Sequence, residues 1–187
     1  MGPSDEELVQ RARAGDRQAF HLLVERHAAG LYSVAALMTS RAMDAQDIVQ
    51  ETLLGAFQGL DRFRGEASVK TWLVRILAKQ VARHRRHESY RRMASLDDAA
   101  AMDGNPRLAV PAATGASDAR LDLADLLGRL PEDQRDVLVL RELEGLSYEE
   151  IAQALDIPRG TVESRLFRAR QAIRKIAVIR GNRDEHG

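Results

Sequence analysis

The sequence predicts an all-α fold made of two small helical domains joined by a flexible linker. Apolar residues recur at spacings of three and four through almost every patterned stretch, and no stretch alternates as a strand would. The helical pattern stops between residues 96 and 118. It then resumes and finishes with two short helices across a tight turn, the helix-turn-helix pattern. We therefore expect one domain over 1–95, a linker over 96–118, and a helix-turn-helix domain over 119–187.

Start and stop signals mark the helices of the first domain. Ser4 with Glu7 has the spacing of a capping box, and Gly15 ends the helix that this box opens. Asp16 and Asp44 are suited to cap the second and third helices. After a loop from Gly59 to Ser68, a long helix carries an apolar stripe of Val69, Trp72, Leu73, Ile76, Leu77 and Val81.

The stretch between the two domains is built from small and helix-breaking residues. Residues 96–118 contain two prolines, two glycines and several alanines. Such a segment buries too little apolar surface to offset the entropy lost on ordering. It is either a plain flexible spacer or a segment laid over a partner.

Helical periodicity returns beyond the linker. Periodicity resumes at Leu121, and Leu130-Pro131 begins a helix that Gly145 ends. Ser147 with Glu150 forms a second capping-box sequence. The tight turn over 156–160 precedes a final helix, for which Thr161 is a suitable cap and which runs to about residue 177.

Composition limits the class of protein. The chain has 187 residues, of which 44% are hydrophobic, and a net charge of zero, so global disorder is excluded. No apolar run approaches the roughly 20 residues that span a bilayer, and no secretory signal is visible at the start. We expect a cytoplasmic protein without membrane insertion. The chain has no cysteine, no paired metal-ligand histidines, and no phosphate-loop or nucleophile motif, so we expect no metal, no cofactor and no enzymatic activity.

The final helix has two different faces. Residues 159–183 hold eight basic residues and Glu163 as the single acid. At 100° per residue, the inward side comprises Val162, Leu166, Ala169, Ile173 and Ile176. The outward side comprises Glu163, Ser164, Phe167, Arg168, Gln171, Arg174 and Lys175. Arginine can bind guanine edges in the major groove, so this face predicts DNA binding; a merely solubilising face is the alternative. Glu163 either accepts a hydrogen bond from cytosine or pairs with a neighbouring arginine.

Three further surfaces lie in the first domain. The long helix carries Lys70, Lys79 and an arginine-rich end over 83–92, which suits phosphate contact or simply the helix dipole. In the preceding loop, Gly65, Glu66 and Ser68 lie beside Phe63 and Trp72, an arrangement that could hold an unstacked base. Periodicity favours a core position for Trp72. The third helix presents Asp44, Asp47, Gln50 and Glu51, which suggests a basic protein partner or a solvated face.

Two stretches carry a family resemblance. They are DAQDIVQETLLGAFQGLDRFRGEASVKTWLVRILAKQVARHRR and LPEDQRDVLVLRELEGLSYEEIAQALDIPRGTVESRLFRARQAI. In this order and separated by a polar linker, they resemble regions 2 and 4 of the bacterial extracytoplasmic-function (ECF) sigma factors. The resemblance implies binding to core RNA polymerase, recognition of promoter DNA and help in melting it. It also implies an anti-sigma factor as partner.

The resemblance assigns roles to particular residues. Polymerase binding, to the clamp helices of the largest subunit, falls on Asp47, Gln50 and Glu51, to which the acidic helix face adds Asp44. Contact with the −10 element falls on Arg64, Gly65, Glu66, Ser68, Lys70, Lys79, Arg83 and Arg86, to which the aromatic pair beside the loop adds Trp72. Contact with the −35 element falls on Arg159, Thr161, Glu163, Ser164 and Arg168, to which the outward helix face adds Phe167, Gln171, Arg174 and Lys175. Many members have a basic residue where this chain has Glu163. The linker would run through the polymerase toward the RNA exit path.

Two other classes of function compete with this one. A sigma mimic would sequester an anti-sigma factor without using DNA, but such mimics usually carry a receiver domain, for which 187 residues leave no space. A plain helix-turn-helix repressor would explain residues 119–187 and leave the first 95 without a role.

Overall fold

The fold is all-α, as the periodicity predicts. In the computed structural model, which describes residues 2–39, 42–94 and 118–184, no strand is present. The helices are α1 (Asp5–Arg13), α2 (Arg17–Met38), α3 (Ala42–Gly59), α4 (Val69–Ala94), α5 (Asp118–Gly128), α6 (Glu132–Leu138), α7 (Tyr148–Leu155) and α8 (Arg159–Asp184). They form two compact units, the first centred on α1 to α4 and the second on α5 to α8. Within the described residues, no helix is long and apolar enough to cross a membrane.

The helix starts of the first unit follow local side-chain chemistry. The Ser4 hydroxyl accepts from the Glu7 N–H and the Glu7 carboxylate accepts from the Ser4 N–H, so the predicted capping box is confirmed. Asp16 caps α2, because its Oδ1 accepts from the Ala19 N–H at 3.2 Å. The prediction that Asp44 caps α3 is wrong. That helix begins at Ala42, which places Asp44 inside the first turn.

The core of the first unit lies among its four helices. Large side chains from every helix are buried there, among them Leu8, Leu31, Ile48 and Leu77. Arg13 joins the end of α1 to the 3₁₀ turn Leu60–Arg62 that follows α3. Its Nε donates to the Leu60 carbonyl at 2.9 Å, and its NH2 group donates to the carbonyls of Asp61 and Phe63. This contact fixes the chain at the point where the loop before α4 begins.

The second unit begins earlier in the sequence than periodicity predicts. Helix α5 starts at Asp118, not at Leu121, and the last helix extends to Asp184. Residues 95–117, which contain most of the predicted linker, lie outside the described residues. The domain boundaries at 95 and 119 therefore stay predictions.

One π-helical turn, Val139–Leu143, continues α6. The Glu144 N–H donates to the Val139 carbonyl five residues back, at 3.2 Å. The second capping box is confirmed, since Ser147 and Glu150 exchange hydrogen bonds at the start of α7. Helices α6 and α7 both pack against α8, around a core that includes Val137, Leu140, Ile151 and Leu166.

Candidate functional site

The second unit holds a helix-turn-helix. Helix α7 ends at Leu155, and Asp156 adopts the left-handed conformation (φ 57°) that turns the chain. Helix α8 then begins at Arg159, two residues before the expected cap at Thr161. The Pro158 carbonyl accepts from the N–H groups of Thr161 (2.9 Å) and Val162 (3.2 Å). Thr161 therefore lies in the first turn of α8, and the prediction that it caps the helix is wrong.

The two faces of α8 differ as the sequence predicts. Val162, Leu166 and Ala169 are buried, while Ile173 and Ile176 are half-buried. The opposite face is solvent-exposed and comprises Glu163, Ser164, Phe167, Arg168, Gln171, Arg174 and Lys175. Phe167 is 64% exposed. An aromatic ring held in water among cationic groups is suited to contact a ligand rather than the core.

Two ion pairs connect α8 to the rest of its unit. Arg165 Nε lies 3.1 Å from the Asp133 carboxylate of α6. Arg170 contacts the Glu142 carboxylate at 2.7 Å. The hydrogen bond with Glu142, and then that with Tyr148, raises the pKa of Arg170 above its ordinary value. These contacts lie at the margins of the exposed face and leave its centre open to a partner.

The first turn of α8 carries mixed charge. Arg159 Nε lies 3.1 Å from the Glu163 carboxylate, and its NH1 group lies 3.1 Å from the Glu149 carboxylate on α7. Of the two alternatives for Glu163, the structure has the pairing with a neighbouring arginine. Among the described residues, no ion pair is made by Arg168 or Arg174, which follow on the same face.

The loop before α4 has a defined shape in the first unit. Gly65 has a φ of +74°, which a side chain would strain. The Ser68 hydroxyl accepts from the Thr71 N–H at 3.1 Å and so caps α4. The rings of Phe63 and Trp72 meet with centroids 4.9 Å apart. Phe63 is buried whereas Trp72 is half-buried, so Trp72 packs against the core and is partly exposed. Arg64, Gly65 and Glu66 in the loop are exposed.

The basic residues of α4 form an exposed stripe. Lys79, Arg83 and Arg86 are separated by four and three positions and are all exposed, so they lie on one face. Lys70, in the first turn of α4, is exposed beside the loop. The structure therefore brings the loop and a cationic helix together within the first unit.

Helix α3 exposes acidic and apolar groups on one side. Asp47, Gln50 and Glu51 are exposed and lie within one turn of each other. Leu54 (51% exposed) and Phe57 (53% exposed) continue this stripe along the helix. Sequence reasoning missed these two residues as surface groups. Counting from Gln50 in steps of four and three would have found them.

Asp44 lies apart from that stripe and faces α4. It is half-buried, and one of its carboxylate oxygens lies 3.7 Å from His84 Nε2. With Glu88, these residues place three ligand-type atoms within 4.8 Å of one another. Spacing along the chain could not reveal this group, because Asp44 and His84 belong to different helices. The expectation of no metal site stays a prediction.

Comparisons with known proteins cover both units. The family model of sigma-70 region 2 matches residues 23–91, and the model of sigma-70 region 4 matches residues 120–173. The ECF RNA polymerase sigma-E factor of Escherichia coli K12 is 40% identical over 183 residues, covering 91% of this chain and 92% of that protein. The RNA polymerase sigma-H factor of Pseudomonas aeruginosa is 36% identical over 178 residues, covering 91% and 92%.

The chain belongs to the ECF sigma factors. It therefore associates with RNA polymerase and serves in transcription initiation. Two solved structures are similar to this sigma factor. The sigma factor RpoE of Bartonella quintana, in complex with the anti-sigma factor NepR, has a TM-score of 0.65 at 28% identity and covers 86% of this chain and 97% of that one. CnrH, in complex with the cytosolic domain of CnrY, has a TM-score of 0.60 at 28% identity, covering 94% and 97%.

The surfaces described above fall within the two regions of the sigma factor. The exposed stripe of α3, the loop and the basic stripe of α4 lie inside region 2. The helix-turn-helix lies inside region 4, whose match ends at Ile173 and so leaves out Arg174 and Lys175. For Arg174 and Lys175, a role in DNA contact therefore rests only on the helix face on which they lie.

Proposed function

We propose that this sigma factor binds core RNA polymerase through the exposed stripe of α3 and directs it to promoters through α4 and α8. The observation that carries the proposal is the exposed face of α8, where cations, hydrogen-bonding groups and Phe167 share one side of the second helix of a helix-turn-helix. Such a helix enters the major groove with its first turns against the bases.

Each group on α8 has a contact that suits its chemistry. Arg168 can donate two hydrogen bonds to a guanine edge, and Phe167 can contact a thymine methyl group. Ser164 and Gln171 supply neutral donors and acceptors, while Arg174 and Lys175 lie further along and suit the phosphates. We assign this face to the −35 duplex, with Arg159, Thr161 and Glu163 at its leading end.

We assign the −10 element to the loop and the basic stripe of the first unit. Gly65 has a positive φ, and Arg64, Glu66 and Ser68 are exposed, so the loop has groups that could bind an unstacked base with the half-buried Trp72 nearby in sequence. Lys70, Lys79, Arg83 and Arg86 would follow the phosphates of the separated strands. Extruding a base requires unstacking it, and a shaped pocket with aromatic contact offsets part of that cost.

Polymerase binding is assigned to Asp47, Gln50 and Glu51, with Leu54 and Phe57 adding apolar contact. Acidic groups around exposed apolar side chains suit a basic helical partner, because charge steers the encounter and apolar burial holds it. Asp44, on the same helix, faces α4 and would add negative charge beside this surface. We also propose an anti-sigma factor as regulator, since the similar RpoE structure contains the anti-sigma factor NepR. The chain would act in the cytoplasm, contributing specificity rather than catalysis.

Charge-reversal variants distinguish the proposed DNA interface from the proposed polymerase interface. Arg168→Glu should weaken promoter binding of the reconstituted holoenzyme by at least tenfold, because it replaces a guanine or phosphate contact with a repelled carboxylate. Binding of the free sigma factor to core polymerase should be unchanged. The double variant Asp47→Lys/Glu51→Lys should instead lose binding to core polymerase. Both affinities are measured by fluorescence anisotropy.

A matched control is Arg129→Glu, an exposed arginine on the turn after α5 that lies on none of the assigned surfaces. It should alter neither affinity. If Arg168→Glu and the α3 variant both lose only polymerase binding, the assignment of α8 to DNA is wrong.

A further inference from the structure

An acidic residue on α7 contacts the arginine at the start of α8. Glu149 lies in the first turn of α7, and its carboxylate is 3.1 Å from the NH1 group of Arg159 at the start of α8. Arg159 Nε contacts Glu163 at 3.1 Å. The guanidinium of Arg159 is therefore held between two carboxylates that come from the two helices of the helix-turn-helix.

Stability does not account for this arrangement. The side chains of Arg159, Glu149 and Glu163 are 60%, 58% and 49% exposed, and exposed ion pairs contribute little to folding. Two carboxylates near DNA also oppose binding to phosphates. A role in selecting between base pairs would explain why these carboxylates lie at the N-terminal end of α8.

The two ion pairs involve two different nitrogen atoms of Arg159. A guanidinium has five N–H donors in a rigid plane. Nε lies 3.1 Å from the Glu163 carboxylate, and NH1 lies 3.1 Å from the Glu149 carboxylate. The end of the plane, which carries one N–H of NH1 and one of NH2, is an edge that can donate two hydrogen bonds to a purine.

We propose that Glu149 is a specificity-determining positioning residue, which holds Arg159 so that its end edge meets one base pair instead of swinging to the nearest phosphate. The inference rests on the proposed contact of α8 with the −35 duplex. Arg168 provides a contrast, because it makes no ion pair among the described residues and is left to reorient. Holding an arginine in advance lowers the entropy lost on binding and penalises base pairs that do not match the fixed edge.

The test is a selection experiment with the reconstituted holoenzyme and a promoter library randomised over the upstream element. Arg159→Gln identifies the base pair that depends on Arg159. Glu149→Gln should reduce discrimination at that same pair by about tenfold, the size expected for one bidentate contact, and leave the other positions unchanged. The double variant Glu149→Gln/Arg159→Gln should match Arg159→Gln alone.

Glu142→Gln is the matched control. Glu142 is an exposed carboxylate of the same unit that pairs with Arg170 instead of Arg159. It should leave discrimination at the Arg159-dependent pair as in the wild type. The proposal is overturned if Glu149→Gln keeps full discrimination, if it changes affinity equally for all sequences, or if Glu142→Gln has the same effect. Selection of no upstream element by the wild-type holoenzyme would overturn the proposed function itself, and this inference with it.

Discussion

A single side chain in this protein can both cap a helix and form an ion pair. Asp16 is the example in the first unit, where it caps α2 and receives hydrogen bonds from Arg11 at 2.8 and 3.0 Å. The Arg11 hydrogen bond, followed by that from the Ala19 N–H, lowers the pKa of Asp16 below its usual 3.8. A carboxyl group whose pKa falls on folding stabilises the folded state when it is ionised.

Asp16→Asn should therefore lower the unfolding temperature near neutral pH, because asparagine still caps the helix but cannot pair with Arg11. The sign follows from the lowered pKa. The contribution is complete above the unfolded value of 3.8 and is lost as pH falls through the folded value. The difference between wild type and variant should close in acid, as measured by thermal unfolding at a series of pH values. A control is Asp61→Asn, the same substitution at an exposed position of the same unit. A constant difference at all pH values would contradict this account.

Adjacent residues on α8 should behave in opposite ways. Leu166 is 1% exposed and Phe167 is 64% exposed. Leu166→Ala should reduce the free energy of unfolding by about 2–5 kcal/mol, the cost of a cavity in a packed core. Phe167→Ala should change it by no more than about 0.5 kcal/mol and weaken promoter binding instead.

Denaturant unfolding of the full chain and promoter binding of the holoenzyme measure the two effects. Each variant is the control for the other. Equal destabilisation by both would show that Phe167 is packed against the fold and not presented to DNA.

At the scale of elements, helices were predictable where the signal was local. Both capping boxes and the buried side of α8 depend on residues within one or two turns, and the structure has them as expected. The starts of α3 and α8 were not predictable in this way. Asp44 and Thr161 have cap chemistry, but each helix begins two residues earlier. In α8 the first intrahelical hydrogen bonds run to the Pro158 carbonyl, so Thr161 is already inside the helix.

In the candidate site, too, local features could be predicted from the sequence and contacts between helices could not. Which residues of α8 are exposed follows from 100° per residue. The pairing of Glu163 with Arg159 is local, because the two residues are four positions apart on α8. That Glu149 also contacts Arg159, or that Arg13 fixes the loop before α4, depends on contacts between helices. Such contacts need the fold, because sequence separation does not say which helix faces which. Leu54 and Phe57 were hidden for a related reason, since an apolar residue on a helix is first read as core.

At the scale of the whole molecule, function requires both units. Sigma region 2 contains the proposed polymerase and −10 surfaces, and sigma region 4 contains the −35 surface. Neither unit needs to bind DNA tightly by itself, because a shared polymerase and a connecting segment raise the local concentration of each at its element. Promoter selection would then be a joint property of two moderate contacts.

Run-off transcription on fragmented DNA from the protein's own genome, with core RNA polymerase in the presence and absence of this chain, tests that claim most directly. The account predicts discrete new transcripts whose start sites share two upstream sequence elements at a fixed spacing, and their loss with the Arg168→Glu variant. Polymerase that binds the chain and still gives no new transcripts with shared elements would contradict it.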